Sequence, residues 1–292
     1  METVDIKDLK KTKMILKNPK ATISRLSNGE ILKEFGNLVN MIYKSENIDI
    51  EKRILNSKSI KDVPEIIIPN KAVYNDEKFV GYTMKEAKGI NYNEYDSQLT
   101  YLDRHDLQRY GEEYLKLENI IKRGNKQNCV FPDLCSCDNI FIDPYKNITF
   151  IDYDGIQINN EKTLCISSRL GKIDQYKNKK YMWKNDTYTT ELDKKSLINL
   201  YFLLTFNINL NMINKNICGK IVTIDEMFDY ICLKDYDIMQ KVWKTTQLNE
   251  KNEFLGNDVF NIAENYELEL QDMSSFMTKE KIYYKKLVRK WF

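Results

Sequence analysis

The chain of 292 residues exceeds one typical domain, and its 42% hydrophobic and 12% aromatic content can fill a sizeable core. Lys plus Arg (45) nearly balance Asp plus Glu (43), and the resulting net charge of +2 argues against a polybasic nucleic-acid or membrane-surface protein. With one histidine, His105, neither a Ser-His-Asp triad nor a multi-histidine zinc site is the expectation.

In chain order, Ala21–Leu26 and Glu30–Phe35 read as strands flanking Ser27-Asn28-Gly29, because Asn-Gly is the strongest short hairpin signal. Residues 45–57 read as a helix opening at Ser45, with Ile50 and Ile54 one turn apart. Val73-Tyr74 and Phe79–Met84 flank Asn75-Asp76, a second hairpin. The texture changes near Gly89. Residues 103–123 carry helical spacing through Leu107, Tyr110, Tyr114, Leu117 and Ile121.

Next come two short strands, Asn139–Ile142 and Ile148–Ile151, around the turn sequence Asp143-Pro144-Tyr145-Lys146-Asn147. A polar stretch over 155–190 has no clear periodicity. Ser196–Ile208 then reads as a buried helix, and the remainder as mostly helical. The apolar run Leu197–Leu210 is too short and too Asn-interrupted to span a bilayer. Cys129, Cys135, Cys137, Cys165, Cys218 and Cys232 lack regular spacing, the group Cys129, Cys135 and Cys137 lacks a fourth metal ligand, and the charged first residues lack an apolar signal core. Reduced thiols in a cytoplasmic protein are the expectation.

The segment that carries chemistry is Pro132-Asp133-Leu134-Cys135-Ser136-Cys137-Asp138-Asn139, followed by Ile148-Thr149-Phe150-Ile151-Asp152-Tyr153-Asp154-Gly155. An acid and an amide lie on a loop entering one strand, and a second acid ends the next. Their side chains can converge at one edge, and such oxygen donors suit Mg²⁺.

This segment resembles the catalytic loop and Mg²⁺-binding D-F-G region of the protein kinase superfamily, including its aminoglycoside-phosphotransferase-like relatives. The resemblance spans roughly residues 15–210 and implies a bilobal α+β protein-kinase-like fold. Residues 1–87 would form a β-rich nucleotide-binding lobe, and 88–292 a helical lobe with the catalytic loop and an activation-like segment. Asp133 falls at the catalytic Asp, Asn139 at the metal-binding Asn and Asp152 at the metal-binding Asp. Lys33 would reach the α- and β-phosphates and Ile31 would lie against the adenine. Glu51, with Glu46 in reserve, would pair with Lys33. Thr83–Ala87, including Met84 and Glu86, would be the hinge that reads the adenine edge. Asp193 would be the buried acid that holds the catalytic-loop backbone.

The implied cofactors are ATP and Mg²⁺. The implied activity moves the γ-phosphate to a hydroxyl acceptor, a protein serine or threonine ahead of a small molecule. No nucleic acid or membrane partner is expected. The alternative is a pseudokinase acting as a nucleotide-binding or scaffold protein. Four departures motivate it: no glycine over Lys17–Ala21, Phe131-Pro132 in place of His-Arg or His-Gly, Cys135 where Lys or His often assists, and a loop from Asp133 to Asn139 one residue longer than the family pattern. Without that Arg, Ser167 and Ser168 are weak regulatory candidates. Asp103-Arg104-His105-Asp106 opens an amphipathic helix, and the basic, aromatic tail over 279–292 reads as a docked helix.

Overall fold

The computed structural model describes residues 1–57, 60, 62–92, 94, 104–134, 137–163, 179–206, 208–213, 216–217, 220–221, 223–230 and 235–264. Cys135, Ser167, Ser168 and the tail over 279–292 lie outside them. The chain is mixed α+β, built on a six-stranded sheet followed by a helix-rich region. No helix among the described residues is long and apolar enough to cross a membrane.

The sheet is formed by β1 (Glu2–Asp5), β2 (Lys11–Lys17), β3 (Ala21–Leu26), β4 (Ile31–Phe35), β5 (Pro69–Asn75) and β6 (Lys78–Met84), in the order β1-β5-β6-β4-β3-β2. Every pairing is antiparallel except β1 with β5. Gly29 takes φ +83° in the β3–β4 turn, where glycine has no side chain to clash. Asp76 and Glu77 are both left-handed (φ 47° and 65°) between β5 and β6, the backbone that a two-residue hairpin demands.

Strand alternation decides which side chains meet the site. On β4, Leu32 packs on one face with Leu26 and Val73. Ile31 and Phe35 pack on the other, beside Tyr82 and Met84 of β6. Lys33 shares that second, apolar face by the period-two rule. Its ammonium therefore has to find partners inside the protein.

After β4 the chain forms two short helices, α1 (Asn37–Ser45) and α2 (Ile50–Leu55). The single helix expected over 45–57 is corrected by the backbone at Asn47. That residue turns left-handed (φ 54°), and Ile48 N–H returns to the Tyr43 carbonyl at 2.8 Å, closing the first helix. Ser45 ends a helix instead of starting one. Asp49 then caps α2 by accepting from Lys52 N–H at 2.9 Å.

The connection 85–89 leads to β7 (Ile90–Asn91), with Gly89 so close to the Ile142 carbonyl that a Cβ would overlap it. The 23-residue helix α3 (Arg104–Lys126) and the buried helix α4 (Thr190–Phe206) pack on each other and frame the helix-rich region. Between them lie β8 (Cys129–Val130), β9 (Ile140–Ile142), β10 (Ile148–Phe150) and β11 (Gln157–Ile158). β9 pairs with β10 and β7, and β8 pairs with β11. Helices α5 (Ile224–Tyr230) and α6 (Tyr236–Thr246) follow. The stretch Glu65–Ile67 ties the sheet to the β9–β10 hairpin: Phe150 N–H donates to Glu65 O at 2.7 Å, and Ile67 N–H to Phe150 O at 2.9 Å.

Candidate functional site

The strand β4 faces the 3-10 turn Tyr153–Gly155 that follows β10, and the polar groups of the two elements meet. The Lys33 ammonium donates to Asp154 Oδ1 at 2.6 Å and to Asp152 Oδ1. Tyr82 OH, on the strand beside Lys33, donates to Asp154 Oδ1 at 2.7 Å. Tyr43 OH, on α1, donates to Asp154 Oδ2 at 3.2 Å. Lys33 is 8% exposed and Asp154 5%.

The two carboxylates differ. Asp154 has three donors and little exposure. Asp152 has, among the described residues, one side-chain partner, together with 30% side-chain exposure and a left-handed backbone (φ 67°). Burial opposes the charge on Lys33, but the carboxylates of Asp152 and Asp154 outweigh it and raise the ammonium above its ordinary range. Burial and the neighbouring Asp154 charge push Asp152 up against the pull of Lys33. Burial also acts upward on Asp154, yet Lys33 and the Tyr82 hydroxyl hold that carboxyl below its usual value. Burial, then the Asp154 charge, raises both Tyr43 and Tyr82 well above the phenol range, so both remain donors.

Asp133 lies in the turn after Phe131, and Asn139 Nδ2 donates to its Oδ2 at 3.1 Å. Asn139 is also tied to the second acid, because Ile151 N–H donates to the Asn139 carbonyl at 2.9 Å. The open end of the β9–β10 hairpin thus sets Asn139 across from Ile151, one residue from Asp152. Phe131 packs its ring 5.4 Å from that of Phe150 and sends its N–H to Asp193 Oδ1 at 2.7 Å. Gly124 on α3 makes room for the Phe131 ring, which would meet a Cβ at 2.7 Å.

The turn between β2 and β3 covers the sheet end of this site. Asn18 Oδ1 accepts from both Lys20 N–H (2.8 Å) and Ala21 N–H (2.9 Å). Gly36 N–H donates to Lys20 O at 2.7 Å, and the carbonyl of Pro19 sits against Gly36. The positive charge of Lys20 acts on Asp152.

Ile31 stands opposite Met84 across β4 and β6, both buried. Glu86 follows in the connection and pairs its carboxylate with Arg25, leaving only its backbone for the role expected of a hinge. The expected pairing of Lys33 with Glu51 is corrected: Glu51 lies in the first turn of α2 and accepts from Tyr74 OH at 2.8 Å. The reserve choice, Glu46, pairs with Lys162 at 2.8 Å. The helix that reaches the site is α1, and it presents Tyr43; Glu51 lies on α2, and Glu46, at the C-terminal end of α1, turns to Lys162.

Tyr43, Tyr82 and Asp154 were the residues that sequence reasoning passed over as partners. Tyr82 lies directly opposite Lys33 in the β4–β6 register, but two helices and β5 separate those strands in the chain, so no local turn signal announces the pairing. Tyr43 was missed because its helix was misplaced. Among the described residues, no group of three or more His, Cys, Asp and Glu side chains could hold a metal ion. The chain matches no protein-family model and no curated protein.

Proposed function

We propose that this chain is a Mg²⁺-ATP-dependent phosphotransferase on a two-lobed, protein-kinase-like frame, with the six-stranded sheet as the nucleotide lobe. The observation that carries the reading is the convergence of Lys33, Asp152 and the Asp133–Asn139 pair around one hairpin end. A buried lysine poised beside an acid, with a second acid and an amide along the same edge, supplies the charges that phosphoryl transfer needs.

Oxygen donors of this kind suit the metal. Asn139 spends its amide nitrogen on Asp133, which leaves its side-chain oxygen and the Asp152 carboxylate as ligand atoms. Two oxygen ligands suit Mg²⁺, which keeps waters and shares phosphate oxygens, and do not suit a fully protein-caged ion. When bound, the metal would neutralise charge on the transferred phosphoryl group. Lys33 would hold the α- and β-phosphates. Asp133 would orient the acceptor hydroxyl or take its proton. Ile31 and Met84 would line the adenine side, and the backbone of 85–87 would read its edge. The acceptor would be a protein hydroxyl ahead of a small molecule.

One observation favours the alternative of a nucleotide-binding or scaffolding pseudokinase. The amides of Lys20 and Ala21 are already taken by Asn18, so this turn offers phosphate fewer free N–H groups than a glycine-rich loop would. Thermal unfolding with ATP, with and without Mg²⁺, separates the readings. At a hundredfold excess over Kd, a ligand adds about 2.7 kcal/mol, a shift of several degrees. A Mg²⁺-dependent shift that Asp152→Asn abolishes, together with transfer that Asp133→Ala abolishes, supports the enzyme. A shift without transfer leaves the pseudokinase. No shift in either buffer refutes a nucleotide site.

A further inference from the structure

We infer that Asp154, clamped by Tyr43 and Tyr82, is the permanent anchor of Lys33, and that Asp152 is a temporary partner which leaves Lys33 for the metal. The inference rests on the phosphotransferase reading for the second step only. The first step concerns the protein without nucleotide.

Two carboxylates share one ammonium here, and the geometry separates their roles. Asp154 is fixed from three sides: Lys33 at 2.6 Å, Tyr82 at 2.7 Å and Tyr43 at 3.2 Å, from β4, β6 and α1 respectively. Moving it would leave two buried phenols without an acceptor, each unmade bond costly in a dry site. Asp152 loses one partner if it turns away, and it is the more exposed of the two. Its departure also relieves repulsion between two neighbouring carboxylates. Asp154 therefore does the work that the resemblance assigns to a helix glutamate, and Tyr43 on the helix supports it through a hydrogen bond. Asp154 is a positioning residue: it touches Lys33 and acts through it.

Two measurements test this. The first uses the protein without nucleotide. In a Lys33→Met background, the loss of Tm caused by Asp154→Asn should shrink by more than half, and by more than the change in the smaller loss caused by Asp152→Asn. The second compares ATP binding in EDTA and in Mg²⁺. Asp152→Asn should keep or improve metal-free affinity, since Lys33 is no longer shared, and should lose the Mg²⁺ enhancement. Asp154→Asn should weaken metal-free affinity about tenfold or more, because Lys33 then turns fully to Asp152. Glu51→Gln should match wild type in both buffers.

The reverse pattern overturns the inference: coupling of Lys33 to Asp152 alone, or a tenfold loss in Glu51→Gln with none in Asp154→Asn. Tyr82→Phe is the milder variant if Asp154→Asn does not fold, and it should weaken metal-free binding several-fold; no change there also counts against the anchor. If wild type binds no ATP in either buffer, the phosphotransferase reading and the release of Asp152 fall together. The Lys33→Met cycle still decides the anchor.

Discussion

The backbone N–H of Phe131 donates to the Asp193 carboxylate at 2.7 Å across 62 positions of sequence, joining the approach to Asp133 to the first turn of α4. Two acceptors flank the Asn125 amide and assign its orientation: with the nitrogen turned toward them, it donates to the other Asp193 oxygen at 2.7 Å and to the Cys129 carbonyl at 2.8 Å. One fully buried carboxylate thus fixes the loop to both long helices. Asp193→Ala would strand two buried donors, each worth about 1–3 kcal/mol when unmet, so urea unfolding should show a loss of about 3 kcal/mol. Asp193→Asn retains an acceptor for Phe131 and should lose less. A wild-type midpoint in Asp193→Ala would remove this residue from the support of the loop.

Gly81 governs how closely β6 can approach Lys33. A Cβ there would overlap the Lys33 carbonyl oxygen and come within 3.0 Å of Glu34 Cα, both backbone atoms of a paired strand. The clash cannot be relieved by rotating a side chain, so β4 and β6 would have to part. Gly81→Ala should cost about 3 kcal/mol, at the upper end of overpacking penalties, and, on the proposed phosphotransferase function, weaken nucleotide binding by displacing Lys33. Gly29→Ala provides the contrast. It faces open space and pays only for its φ of +83°, about 1–2 kcal/mol, with nucleotide binding unchanged. Equal ATP affinity in both variants would contradict the role given to Gly81.

Local chemistry made parts of this fold legible. Asn28-Gly29 announced the β3–β4 hairpin, and the spacing of Leu107, Tyr110, Tyr114, Leu117 and Ile121 announced α3. Alternation put Ile31 and Lys33 on one face of β4, as the packing shows for Ile31. The strand β2 was not legible: all seven residues are exposed, so Lys-Thr-Lys-Met-Ile-Leu-Lys carries no buried face to betray it. The same holds for β1, whose parallel pairing with β5 is a long-range choice that four residues cannot encode.

The site was half legible for a related reason. Asp133, Asn139 and Asp152 lie within one hairpin and its entry loop, so their closeness follows from short-range structure. The partner of Lys33 comes from 119 and 121 positions away, and no spacing argument reaches that far. Glu51 was chosen because it sat on the helix expected over 45–57. Once Asn47 ends the first helix, Glu51 belongs to α2 and finds Tyr74.

Arg53 gives a test of how the segment after the site is held. It is 3% exposed on α2, with Nη1 donating to Lys162 O at 2.9 Å and Nη2 to Ile156 O. Both acceptors are backbone carbonyls, so the clamp depends on the guanidinium fork and not on the identity of residues 156 and 162. Arg53→Lys cannot span both carbonyls and should lose about 2 kcal/mol, from one charged hydrogen bond. Amide exchange should quicken over 156–163 and remain slow in β3 and β4. Uniform acceleration throughout the chain would mean that Arg53 supports the whole fold and not this segment.

Acid unfolding should report the two carboxylates with opposite signs. Both titrate near about 3.9 in the unfolded chain. Asp154 lies below that value when folded, because Lys33 and Tyr82 outweigh burial, so its stabilisation is present above pH ~3.9 and is lost as pH falls through its folded value. Asp152 lies above its ordinary value, through burial and the Asp154 charge, so the folded protein takes up its proton first. Between its folded value and pH ~3.9, Asp152 therefore gains stability as pH falls. Asp154→Asn should flatten the acid limb below pH ~4, and Asp152→Asn should remove the gain just above it. Urea midpoints from pH 3 to 7 would measure both. An acid limb in Asp154→Asn as steep as that of wild type would mean that other carboxylates govern acid unfolding, and would deny Asp154 the depressed titration that Lys33 and Tyr82 impose.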